Sequence, residues 1–238
     1  MDPPPDDPAA LAVARLKAEG RTSRGVTRKG VLLGALVFAR YEPISLASGA
    51  ALLAGAMALR LASKGCLRRT RRVVTGGPYA FLRHPFYLGN LMADAALLAV
   101  AGLPLAIPFY TVLFWLAYRG TMAGEERMLG ELHGEAYGRY RAAVPGLLPR
   151  LLPWRTREPA PFSFGMALAE REVSRSLRLA AYPLLLLLRL ALLPGLAGGE
   201  PFAPGRPAEW ILGGGAAALL LASRWVHGIE VQRGPGPV

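Results

Sequence analysis

Gly77-Pro78-Tyr79-Ala80-Phe81-Leu82-Arg83-His84-Pro85-Phe86-Tyr87-Leu88-Gly89-Asn90 joins a basic segment to a long apolar one. That junction is expected where water meets lipid. Pro78 follows Gly76-Gly77 and sets a turn, and Pro85 suits the first position of a helix, where a missing N–H costs nothing. The spacing predicts a helix from Pro85, with His84 at its cap and Tyr87 and Gly89 on its first turns. Such an end carries partial positive charge and unpaired N–H groups, so it suits a carboxylate or phosphate. Gly89 would let a ligand approach the backbone closely.

Downstream, residues 84–118 contain Asp94 as their only formal charge and are interrupted by Gly102-Leu103-Pro104. Two antiparallel helices fit this pattern. At ~1.5 Å per residue, an arm of about 17 residues crosses roughly 25 Å, enough for a thin span. The return brings the chain beyond Tyr118 to the membrane face that holds His84. That stretch contains Glu125-Glu126, and Met122, Glu126 and Leu129 share a helical face, so the acids can ride a helix whose apolar side rests on the other spans. Asp94, inside a span, is either a functional group or a bond to a neighbouring helix.

Upstream, residues 43–59 are uncharged and rich in small residues, and read as a span packed through Gly49, Ala50, Gly55 and Ala56. The run 30–39 is shorter and needs its flanks to approach the ~20 residues of a span. Between 60 and 72 stand Arg60, Lys64, Arg68, Arg69, Arg71 and Arg72, a density expected on the cytoplasmic side. Residues 1–25 form a tail, acidic and proline-rich at first and then basic, with a short surface helix possible from Leu11. The core is 26–150 and a proline-rich linker covers 151–163. Residues 164–238 then carry a surface helix over 164–178 and a helical pair, 179–193 and 210–223, the last bracketed by Trp210 and Trp225. The whole reads as an all-α polytopic membrane bundle of about six spans, both termini cytoplasmic.

Composition agrees. The chain has 238 residues, 53% hydrophobic, with net charge +12 and mean hydropathy +0.30. The basic residues cluster between apolar runs, which argues for anionic lipid headgroups and against nucleic acid. Cys66 is the lone cysteine and His84, His133 and His227 the only histidines, so no intramolecular disulfide and no metal-ligand spacing is expected.

Gly77-Pro78-Tyr79, Arg83-His84-Pro85-x-Tyr87-Leu88-Gly89, Glu125-Glu126-x-x-Leu129, Gly134-x-x-Tyr137-x-x-Tyr140 and Val144-Pro145 succeed one another in order. Over roughly 40–150 this resembles the isoprenylcysteine carboxyl methyltransferase and phospholipid methyltransferase family of integral membrane enzymes. The resemblance implies a methyltransferase using S-adenosylmethionine in a pocket at the cytoplasmic membrane face, in a plasma or bacterial inner membrane. His133 departs from the Phe common in that family, Gly120 and Gly124 interrupt the helix carrying Arg119, and the spans after residue 160 lie outside its common core.

S-adenosylmethionine needs an acceptor-rich wall, a donor-rich wall and a flat apolar slot. Glu125 and Glu126 can accept from its ammonium or ribose hydroxyls. Arg83, His84 and the N–H groups after Pro85 can face its carboxylate, and Tyr79 and Tyr87 offer the slot. With Gly89, these are the candidate cofactor contacts; Arg83 is also the candidate to steer an anionic acceptor. No catalytic base is named, because a carboxylate acceptor needs none. Tyr137 and Tyr140 read as packing residues. The acceptor is lipophilic or lipid-borne, a carboxylate as in prenylcysteine or an amine as in phospholipid. The rival readings are an NADPH-dependent sterol-type membrane reductase and a non-enzymatic membrane adaptor.

Overall fold

The computed structural model describes residues 30–31, 33–35, 37–40, 42–67, 73–155, 160–192 and 206–232, with the backbone alone for 206–210 and 232. The expected N-terminal tail and surface helix, the basic residues 68–72, most of the 195–207 loop and the Trp210 side chain lie outside the described residues. All regular structure among the described residues is helical.

Helix α1, Pro43–Cys66, begins at a proline and continues past Leu59, where the uncharged run ends. It can continue because Arg60 and Lys64 find partners inside the protein. Gly49 and Ala56 are buried, and a Cβ on Gly49 would stand 2.7 Å from the Val100 nitrogen. Ala50 and Gly55, expected at the same contact, are exposed.

A 3₁₀ turn, Gly77–Ala80, leads to α2, Pro85–Val100, with His84 at the expected cap position but its side chain not bonded to the helix end. The chain then reverses. Gly102 has φ +71, and a Cβ there would lie 2.5 Å from the Arg40 carbonyl oxygen, so only glycine fits this turn. Helix α3, Ala106–Ala143, is the returning arm, and it runs for 38 residues. It passes through Gly120 and Gly124 unbroken, and its backbone leaves helical geometry at Gly134 instead. Tyr110 donates to Asp94 Oδ2 at 2.8 Å, so Asp94 ties the two arms together. A column of Tyr110, Phe114, Tyr118 and Tyr87 fills the space between them, with Phe114 and Tyr118 stacked at 4.0 Å.

The C-terminal region divides differently from the expectation. A short α4, Phe164–Ala169, ends before Arg171, whose φ is 57, and α5, Glu172–Leu192, runs through the boundary expected at residue 178. Helix α6, Arg206–Gln232, packs along α5. Leu179 joins Leu53, Ala56, Ala93 and Ala96, while Leu186 and Leu190 pack with Ala35, Ala39 and Val100. Arg189 caps the helical residues before 39 by donating to the carbonyls of Val37 and Ala39 at 3.2 and 3.3 Å. The segment read as a linker is tied down at its described ends. Trp154 N–H donates to Ala80 O at 2.8 Å, and Ser163 N–H to Gly65 O at 2.9 Å.

By length and composition α1 is the one helix, among the described residues, able to cross a membrane; α2 is apolar but has 16 residues. Helices α3, α5 and α6 combine apolar turns with charged ones.

Candidate functional site

Backbone bonds make the corner at residues 83–84 continuous with the segment that leaves α3. Arg83 N–H donates to Pro145 O at 2.8 Å and His84 N–H to Gly146 O at 2.9 Å. Arg150 N–H then donates to Phe81 O at 3.0 Å. The Arg-His-Pro and Val-Pro blocks, far apart in sequence, therefore form one wall.

The acid pair of α3 lies directly on this corner. Glu126 Oε1 is 2.9 Å from His84 Nε2 and 2.9 Å from Arg83 Nη2, while Oε2 is 3.2 Å from Arg141 Nε. An ionised carboxylate only accepts, which assigns the imidazole proton of that bond to Nε2. Arg83 also donates to the Arg141 carbonyl at 2.7 Å. Glu126 is thus committed to holding α3 against the corner.

Glu125 has the opposite disposition. Adjacent residues on an α-helix point about 100° apart, because there are ~3.6 residues per turn, so Glu125 turns away from the clasp. It is 39% exposed against 12% for Glu126. It accepts from the Tyr87 hydroxyl at 2.7 Å and lies 3.9 Å from His84 Nδ1.

Glu125 borders a cavity of about 510 Å³, a size typical of small-molecule sites. Of the residues expected at a cofactor site, Tyr79, Arg83, His84, Pro85, Tyr87 and Glu125 line it. Glu126 stands behind the lining and supports it. Gly89 is elsewhere: a Cβ there would lie 2.6 Å from Arg60 Cγ, so the close approach it permits is to α1 and not to a ligand.

The structure adds residues that the sequence alone did not single out. Lys64, Phe86, Asn90 and Tyr118 complete the inner end of the cavity, and Tyr137, read as packing, also lines it. The Tyr137 hydroxyl and Arg83 Nε are buried with no hydrogen-bond partner among the described residues, a costly arrangement that a polar ligand would relieve. Burial pushes the Tyr137 hydroxyl up to about 12, and raises those of Tyr79 and Tyr140 still further, so all three keep their protons at neutral pH. Tyr140, also read as packing, lines the cavity too and donates to Tyr79 O at 2.7 Å. Beneath the cavity Arg60, 2% exposed, pairs with Glu172 at 2.7 Å and also donates to Asn90 Oδ1. Spacing could have hinted at Tyr137, but no local signal links Arg60 to Glu172.

These features define a helical protein with a polar, aromatic-lined cavity at the end of an apolar hairpin. Residues 49–131, which include Arg60, the Arg-His-Pro corner and the acid pair, match the model of the isoprenylcysteine carboxyl methyltransferase (ICMT) family. ICMT-family methyltransferases use S-adenosylmethionine as methyl donor. The chain is 29% identical over 163 residues to the cobalt-zinc-cadmium resistance protein CzcN of Cupriavidus metallidurans, covering 63% of this chain and 74% of the relative. It is 34% identical over 77 residues to a protein-S-isoprenylcysteine O-methyltransferase of Tribolium castaneum and 30% identical over 81 residues to that of Schizosaccharomyces pombe. Those alignments cover 32% and 34% of this chain, and 27% and 34% of the two relatives. No solved structure matches the chain.

Proposed function

We propose that this chain is a membrane methyltransferase that uses S-adenosylmethionine to methylate a lipophilic, prenylcysteine-like carboxylate. The observation that carries this reading is one cavity, within the ICMT-like segment, bordered by an accepting Glu125, unsatisfied donors on Arg83 and Tyr137, and the rings of Phe86, Tyr87 and Tyr118. That donor and acceptor set fits the cofactor. Glu125 would take its ammonium or ribose hydroxyls, Arg83 and Tyr137 its anionic end, and the aromatic rings its base. When bound, the cofactor supplies a methyl group on a sulfonium, which a carboxylate oxygen can accept without losing a proton.

The protein's own contribution is position. Glu126 fixes the His84 ring and the Arg83 guanidinium, and the bonds from residues 145–146 hold the backbone beneath them. Orientation of two reactants supplies up to ~7–11 kcal/mol in favourable cases. We read α1, α2 and the first half of α3 as lying in the bilayer. Leu105, Phe109, Val112, Trp115 and Leu116 are exposed along that half, an apolar belt suited to lipid. The basic residues between 60 and 72 support a cytoplasmic cavity, with 164–238 as a region added to the core.

The test is calorimetry of S-adenosylmethionine binding to detergent-solubilised protein. Wild type binds, whereas His84→Ala and Glu126→Gln lose binding while remaining folded. Unchanged affinity in both variants would overturn the site. Radiolabelled cofactor with a fractionated membrane extract then separates a prenylated acceptor from a phospholipid.

A further inference from the structure

Arg83 and Lys64 line the cavity, and Arg60 stands against its lining residue Asn90. Arg83 is held by Glu126 and the Arg141 carbonyl. Arg60 is enclosed by Glu172 and Asn90. Lys64, one turn beyond Arg60 on α1, lines the cavity itself, its Nζ 4.6 Å from the centre of the Phe86 ring. Its counter-ion is Glu170 Oε2 at 3.1 Å, from the junction between α4 and α5. Glu170 does not line the cavity and lies outside the ICMT-like segment.

This pair differs in kind from its neighbour. Arg60 and Glu172 are 2% and 0% exposed, whereas Lys64 and Glu170 are 17% and 11% exposed. Exchanging the Lys64 partner therefore costs less desolvation than breaking the Arg60–Glu172 pair, and an ammonium with three rotatable donors accommodates a second acceptor more readily than a guanidinium fork. We infer that Lys64 receives a carboxylate brought into the cavity, and that Glu170 is the resident counter-ion holding Lys64 in place until that carboxylate arrives. The carboxylate belongs either to the acceptor or to the amino-acid end of the cofactor. The inference rests on the methyltransferase reading and adds Lys64 to the donors, Arg83 Nε and the Tyr137 hydroxyl, that this reading gives to an anion.

The test uses the full chain in detergent, with Lys64→Met and Glu170→Gln. Calorimetry with S-adenosylmethionine alone is followed by methylation kinetics with an N-acetylated prenylcysteine bearing a free carboxylate. Lys64→Met weakens one ligand about tenfold or more. Glu170→Gln tightens the same ligand about two- to fivefold, because it removes a competitor. A change in the cofactor isotherm identifies the cofactor's carboxylate; a change confined to the acceptor KM identifies the acceptor's. A merely structural ion pair would weaken both ligands in both variants, and that parallel loss, or no change in either variant, overturns the inference. If Lys64→Met fails to fold, the direction of the Glu170→Gln change decides alone. Wild type that binds no cofactor would refute the methyltransferase reading, and this inference with it.

Discussion

The two carboxylates that brace the cavity are secured in contrasting ways. At the acid corner Glu126 is surrounded by Arg83, His84 and Arg141, of which Arg141 is open to water. At the inner end Glu172 is fully buried and holds Arg60 across 112 residues of sequence. The corner has several partners for one charge, so losing one leaves the others. The inner pair is more enclosed: Glu172 has a second cation only at 3.8 Å, Arg175 Nη1, and Arg60 also donates to Asn90. A buried ion pair gains little over an apolar pair of similar size, yet breaking it strands a charge in a poor solvent. The corner is therefore built to adjust around a ligand, and the inner end to hold α5 rigidly to α1.

The largest expected effect tests the rigid side. Glu172→Ala leaves Arg60 buried without its carboxylate and should cost about 3–5 kcal/mol. The double variant Arg60→Met/Glu172→Met should stand close to wild type. Thermal unfolding in detergent measures both; a single variant as stable as the double would erase the contrast between the two ends.

The next effect lies on the pH axis and belongs to the acid corner, where Tyr79, Tyr137 and Tyr140 cluster. Each has its hydroxyl raised above the ordinary 10.0, chiefly by burial, Tyr137 to about 12. Above pH 10 the unfolded chain sheds these protons while the fold retains them, so the fold loses stability as pH rises from 10 through about 12. Below pH 10 their contribution is fully present. Tyrosinate absorbance followed beside helix content should show late titration coupled to unfolding; early titration with the fold intact would remove the tyrosines from the corner's support.

The smallest effect on the fold sharpens the comparison most. Tyr137→Phe removes a buried hydroxyl that has no partner among the described residues. Its thermal midpoint should correspond to a change within about 0.5 kcal/mol, while cofactor affinity falls about three- to tenfold. A loss of stability with unchanged affinity would make Tyr137 a packing residue after all.

Much of the fold was legible because it is local. Pro85 after His84 marks a helix start, and Gly102 before Pro104 marks a reversal, since each residue restricts its own backbone. The apolar run between them predicts that His84 and Glu126 return to one side. Local signals failed where a partner lay far away. Arg60 appeared to end a span because its carboxylate, Glu172, is reached only by folding α5 back onto α1. Gly120 and Gly124 looked like breaks, yet intrahelical bonds tolerate isolated glycines, and the backbone left the helix at Gly134.

The candidate site divides along the same line. Residue types and their order determined, without coordinates, that a basic corner and two adjacent acids would meet beside aromatic rings, because chemistry and helical period are properties of the chain. Only the tertiary structure decided which acid does what. Glu126 is consumed by three neighbours and Glu125 is left facing the cavity, because about 100° of helical rotation sends adjacent side chains into different surroundings. The same holds for Lys64: its charge is written in the sequence, but its place on the cavity wall, opposite a counter-ion from another helix junction, comes from packing alone.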